Sequence, residues 1–165
     1  MDRRELFGLA VLFTPALAWA QARGGRDREL QQVAETLSAG AGAIDSSKLA
    51  LQKATREDIK RFASFEIAEQ EGLRDVLRAL SDQIHENSPQ TKPKVDAQLT
   101  VQNLSQASGE SFDKAYVAEQ VAGHRHLLQI QERYLQNGQD PAFRAVAMLA
   151  RGHIREHLAQ LEGLG

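Results

Sequence analysis

Ile59-Lys60-Arg61-Phe62-Ala63-Ser64-Phe65-Glu66-Ile67-Ala68-Glu69-Gln70-Glu71-Gly72-Leu73-Arg74-Asp75-Val76-Leu77 is the stretch that decides the fold. Ile59, Phe62, Ala63, Ile67, Leu73 and Leu77, continued by Leu80 and Ile84, recur at intervals of three and four. That period puts them on one face of a long helix, and the face must be covered by other helices. Glu66 and Gln70 fall on the same face. A carboxylate in an apolar seam is costly unless it is paired, hydrogen-bonded or ligated. Glu69 and Glu71 lie toward the flanks, where solvent satisfies them.

On either side of this helix B the chain reads as further helices. Thr55-Arg56-Glu57-Asp58 has the form of a capping box, with Thr55 as N-cap. Helix A precedes it over roughly Asp27 to Lys53, where Gly40 and Gly42 weaken it and leave its continuity open. Helix B ends near His85, stopped by Glu86-Asn87-Ser88-Pro89, and Lys92-Pro93 prolongs the loop. A short helix from about Val95 to Gln106 and a turn at Ser108-Gly109-Glu110-Ser111 lead into helix C, Phe112 to Gln136. Asn137-Gly138 closes helix C. Asp140-Pro141 opens helix D, which runs to about Glu162, as N-cap and N1. No stretch alternates with period two. The expected fold is all-α: an antiparallel four-helix bundle over residues 27–165, with a short extra helix between B and C.

The first twenty residues are of another kind. Arg3 and Arg4 precede an apolar run from Leu6 to Ala18, and Ala18-Trp19-Ala20 has the small-x-small form of a cleavage site. Residues 1–20 therefore read as a cleavable secretory signal and 21–26, with Gly24-Gly25, as a flexible mature N-terminus. The order Arg3-Arg4-Glu5-Leu6-Phe7 also resembles a twin-arginine export signal, a route that carries folded proteins. A periplasmic location follows, with no integral membrane span after cleavage. The sequence has no cysteine, which excludes disulfides, zinc fingers and iron–sulfur clusters. Its 20 Lys and Arg nearly balance its 22 Asp and Glu, so no nucleic-acid partner is expected. The sequence leaves any protein partner open.

Helices C and D also carry polar groups toward the inside. His124 falls among Tyr116, Val117, Val121, Leu127, Leu128 and Leu135, and Gln120 shares that face; His126 groups instead with Glu119, Gln129 and Arg133. His153 and His157 lie four apart along the edge of the stripe formed by Phe143, Val146, Ala147, Ala150, Ile154, Leu158 and Leu161. Glu66, His124, His153 and His157 are thus the candidate metal ligands, with Asp45 a weaker one on helix A. Bundle cores hold metals with inward carboxylates and imidazoles, and this mixture suits one ion of iron, manganese, zinc or copper. Two other readings stay open: a metal-free Glu–His network that fixes helix register, and half-exposed boundary histidines. No nucleophile or phosphate-binding loop accompanies these groups, so no catalytic residue is assigned and no enzyme is expected.

Phe112-Asp113-Lys114-Ala115-Tyr116-Val117, Gln120-Val121-Ala122-Gly123-His124 and Arg155-Glu156-His157-Leu158 together resemble the pattern of the domain-of-unknown-function 4142 family. Lys48 to Ala54, followed by Ile59 to Ala63, fits its first inter-helix segment. The resemblance implies a ferritin-like bundle exported by bacteria. Many members carry an Asp-His pair where this chain has Glu69-Gln70. Ferritin-like di-iron sites use two Glu-x-x-His pairs, and this chain has none, so a single-metal or metal-free site is expected. Three functions follow: a non-enzymatic periplasmic binding or stress-related accessory protein, a metal-binding or metal-dependent redox protein, or a structural interaction module.

Overall fold

The computed structural model describes residues 15–85 and 98–165. The expected stop signals at Glu86 to Pro89, the Lys92-Pro93 loop and the paired arginines of the leader lie outside the described residues, as does the side chain of Ile84. The helices are α1 (Pro15–Lys53), α2 (Glu57–His85), α3 (Gln98–Ser105), α4 (Gly109–Asn137) and α5 (Pro141–Leu164). The fold is all-α: the four long helices form an antiparallel bundle, and α3 is the short extra helix. α1 packs against α2 and α4, and α5 packs against α4 and, less closely, α2. Among the described residues no helix is long and apolar enough to cross a membrane.

The ends of the helices follow local chemistry. Asp140 Oδ1 accepts from the Ala142 and Phe143 N–H groups at 2.9 and 3.2 Å, so it caps α5 with Pro141 at the first position. Thr55 does not cap α2 as its motif suggested. Its N–H and hydroxyl both donate to the Asp113 carboxylate of α4, and Arg56 supplies the first accepting carbonyl of α2. The tertiary bond wins because Asp113 is buried and must be satisfied. The motif residue Asp113 thereby ties α4 to the α1–α2 corner, and Tyr116 one turn on shares a hydrogen bond with Ser47 of α1 at 2.8 Å.

α1 is longer than the expected helix A. It begins at Pro15 and includes the segment 21–26 expected to be flexible. It also passes unbroken through Gly40 and Gly42. Gly40 is a matter of space: a Cβ there would lie 2.6 Å from Gln70 Oε1 on α2, so a glycine lets the two helices approach.

The apolar core falls into three clusters, one of them formed by Leu127, Ala150 and Ile154 on α4 and α5. At one end Ala50, Ile59, Phe62, Phe112, Tyr116 and Leu161 pack together; at the other, Val33, Leu77, Tyr134, Phe143 and Ala147. Glu66 and Gln70 interrupt the α2 stripe between them, and both are buried.

Two glycines of the bundle should respond oppositely to alanine. Gly72 has nothing within 4 Å of a new Cβ, so Gly72→Ala should stabilise by about 0.5–1 kcal/mol through helix propensity. Gly40→Ala should forfeit the same gain and destabilise by about 1 kcal/mol net, because Gln70 must leave the charged Glu66 it bonds. Urea unfolding of the two variants checks both signs.

Candidate metal centre

Glu66 enters the bundle from α2, one turn after Phe62. It is fully buried. Its Oε1 accepts from Gln70 Nε2 at 3.0 Å, a pairing made by their spacing of four along the helix. Its Oε2 faces the opposite way, toward α4 and α5. There it lies 2.9 Å from His157 Nδ1 and 3.3 Å from His124 Nε2. The two ring nitrogens are 3.1 Å apart. Oε2 takes no well-aligned hydrogen bond from either ring, although it is buried.

Both imidazoles are oriented from behind. His124 Nδ1 donates to the Gln120 carbonyl at 2.8 Å, the residue one turn earlier on α4. A carbonyl can only accept, so Nδ1 carries a proton and Nε2 is the nitrogen free to present a lone pair. His157 Nε2 lies 3.3 Å from Glu69 Oε2, leaving Nδ1 toward the interior. An outer acceptor on each ligating histidine is the usual support of a metal site.

The electrostatics agree with this arrangement. Burial opposes ionisation of Glu66, but the close approach of the His124 and His157 ring nitrogens outweighs it and holds the carboxyl down to about 2. Burial also opposes charge on His157, yet Glu66 and Glu69 outweigh it and push the imidazole up to about 10. Without an ion, the imidazolium supplies the positive charge that the buried carboxylate requires. Glu69 is lowered in the same way: its desolvation is overcome by His157 and His153.

These residues fit a transition metal. Glu66 Oε2, His124 Nε2 and His157 Nδ1 form the one converging trio of ligand atoms among the described residues. Donors in a tetrahedral shell with bonds of about 2.0–2.1 Å sit roughly 3.3–3.4 Å apart. The separations of 2.9, 3.1 and 3.3 Å approach that spacing. Two neutral imidazoles and one carboxylate suit zinc, copper or iron. Phe62 walls the trio on one side, its ring centroid 5.3 Å from His157 and 6.1 Å from His124.

The structure therefore brings together three of the four expected residues. His153 stays outside the trio: it is 46 % exposed, with Nδ1 3.2 Å from Glu69 Oε1. Asp45 is exposed on the rim of a groove of about 440 Å³ between α1 and α2, a groove that reaches Gln70 but none of the trio. His126 is exposed, as its neighbours suggested. Sequence reasoning passed over Glu69, which bridges His153 and His157. The signal was available: two residues four apart on α5 face two acids three apart on antiparallel α2.

A comparison with curated proteins finds no match. Among solved structures, CopM with silver bound is similar in fold, both from co-crystallization (TM-score 0.68, 18 % identity, 82 % of this chain and 93 % of that chain) and from soaking (0.69, 19 %, 82 % and 92 %). CopM in its Cu(II)-bound form matches equally, with TM-score 0.69 and 18 % identity over 82 % of this chain and 94 % of that one. The model of the Domain of unknown function (DUF4142) matches residues 14–164, and the chain belongs to that family.

Proposed function

We propose that this protein is an exported, non-enzymatic helical bundle that holds one transition-metal ion between Glu66, His124 and His157. The observation that carries the reading is the convergence of three buried donor atoms from three helices, each held from behind by a residue outside the trio. The similarity in fold to CopM, solved with silver and with Cu(II), favours copper among the candidates. A bound ion supplies positive charge to the buried carboxylate and so stabilises the native state alone.

Holding, rather than turnover, is what the surroundings support. The trio is buried and walled by Phe62, and the groove between α1 and α2 reaches none of its three residues. Metal-dependent oxygenases with two histidines and a carboxylate need open positions beside the ion. Export to the periplasm rests on the basic start, apolar run and Ala18-Trp19-Ala20 of the leader.

One further observation favours a second reading, an interaction module. Phe65 and Leu149 are 64 % and 65 % exposed on the outer faces of α2 and α5, with Val76 and Met148 also exposed. Large exposed apolar side chains on these outer faces are available for contact with another protein surface.

Protein purified without a histidine tag should bind one Cu(II) or Zn(II) per chain, and Glu66→Gln, His124→Ala and His157→Ala should each abolish it. At a hundredfold excess over Kd the ion should add about 2.7 kcal/mol of stability. That corresponds to a rise in Tm of roughly 5–10 °C, reversed by a chelator. Unchanged Tm with copper, zinc, iron and manganese would refute the metal reading. Glu69→Gln, which loosens only the support behind His157, should weaken binding by about 10–100-fold without eliminating it. For the interaction reading, light scattering should show self-association that Leu149→Arg disrupts; a monomeric wild type counts against association between copies.

A further inference from the structure

A buried ion site needs a way in from solvent. Three sides of the trio are shut. Phe62 covers one side and is itself only 4 % exposed. Gln70 fills the side toward α1, packed against the space left by Gly40. The α4 side is closed by the buried Gln120, whose carbonyl holds His124. The remaining side is the seam between α2 and α5, the more loosely packed flank of α5.

That seam carries metal-ligating atoms from the surface to the site. His153 is 46 % exposed and Glu69 30 %, with His153 Nδ1 3.2 Å from Glu69 Oε1. The other oxygen of Glu69 is 3.3 Å from His157 Nε2. His157 Nδ1 then faces Glu66 Oε2 and His124 Nε2. His157 thus offers one nitrogen to the outer carboxylate and the other to the inner trio. The His157 ring stands between the outer pair and the inner trio, so an ion passes from Glu69 to the trio when that ring swings aside in the seam. The outer atoms do not close on a point as the inner trio does. They suit brief capture, not storage.

We propose that Glu69 and His153 form a solvent-facing way-station through which a divalent transition-metal ion reaches and leaves the buried Glu66–His124–His157 site. The inference rests on the metal-holding reading and adds its route. Glu69 also supports His157 and so affects the loaded state, whereas His153 touches no member of the trio. Loss of His153 alters the barrier alone and must therefore slow loading and release by the same factor.

The test is stopped-flow absorbance with Cu(II) or Co(II) for loading, and transfer to a chelator for release, on the intact chain. His153→Ala should slow both rates about tenfold, equivalent to about 1.4 kcal/mol of barrier, while their ratio stays within about threefold. His126→Ala, which removes an exposed imidazole elsewhere on α4, should leave both rates unaltered. If His153 only trims the stability of α5, the variant will melt earlier but load and release at the wild-type rates, and the route is overturned while the site stands. A wild-type chain that takes up no metal overturns both.

Discussion

The buried carboxylate of Glu66 is the constraint around which the middle of the bundle is arranged. An ionised acid without solvent costs several kcal/mol unless charge and hydrogen bonds are brought to it. α2 delivers it to the interior because its neighbours on the helix, Ile59, Phe62, Ala63 and Leu77, are the core face. Each of the other long helices then answers to it. α5 contributes His157, α4 contributes His124, and α1 contributes an absence, the missing side chain of Gly40 that lets Gln70 lie beside the acid. Gln70 satisfies one oxygen, which fixes the direction of the other. The apolar core is divided around it: one cluster gathers about Phe112 and Tyr116, another about Tyr134 and Phe143, and a third, Leu127, Ala150 and Ile154, packs where α4 meets α5.

The seam between α1 and α4 solves a different polar problem, with amide and hydroxyl pairs and one buried acid, Glu29. Gln32 Nε2 donates to Gln131 Oε1 at 3.0 Å, and Gln131 Nε2 donates to Thr36 Oγ1 at 3.0 Å. Farther along, Gln120 Nε2 donates to Ser46 Oγ at 2.8 Å, and Tyr134 donates its hydroxyl to Glu29 at 2.8 Å. The partners fall in sequence as α1 rises and α4 descends, so these bonds fix an antiparallel register residue by residue. Apolar packing alone tolerates small slips between helices, whereas a buried amide moved by one turn loses its partner. The cluster at Glu66 depends on this: His124 faces the acid only if α4 is held at the correct height.

The strongest amphipathic segment was the most legible. The three-and-four spacing on α2 gave its inner face and placed Glu66 and Gln70 on it. His124 and His157 were visible by the same test, since each sits among apolar neighbours on its own helix. α1 was less readable. Its buried face includes Glu29, Gln32, Thr36, Ser46 and Ser47, which look solvent-facing until their partners on α4 are known. A periodicity argument treats polar residues as exposed, and so it misses a face that is buried through paired hydrogen bonds. Thr55 shows the same limit in miniature. Its spacing to Asp58 is that of a cap, yet a carboxylate 58 residues away along the chain competes successfully for its hydroxyl. His153 was over-read for the opposite reason: i and i+4 put it in line with His157, but the rim of the seam leaves it half in water.

Glu69 and Gln70 stand back to back on α2 and support opposite sides of the same cluster. Gln70 points inward, buried, and fastens the Glu66 carboxylate; Glu69 points along the seam and fastens the His157 imidazole of α5. A histidine at position 70 would bring a nitrogen ligand but would have to fill the space facing Gly40, where Gln70 already leaves no room for a methyl group. It would also withdraw the amide that orients Glu66. With Glu66 one turn earlier as the acid, the residues that follow it serve to aim side chains, and the donor set closes with one oxygen and two nitrogens from three separate helices.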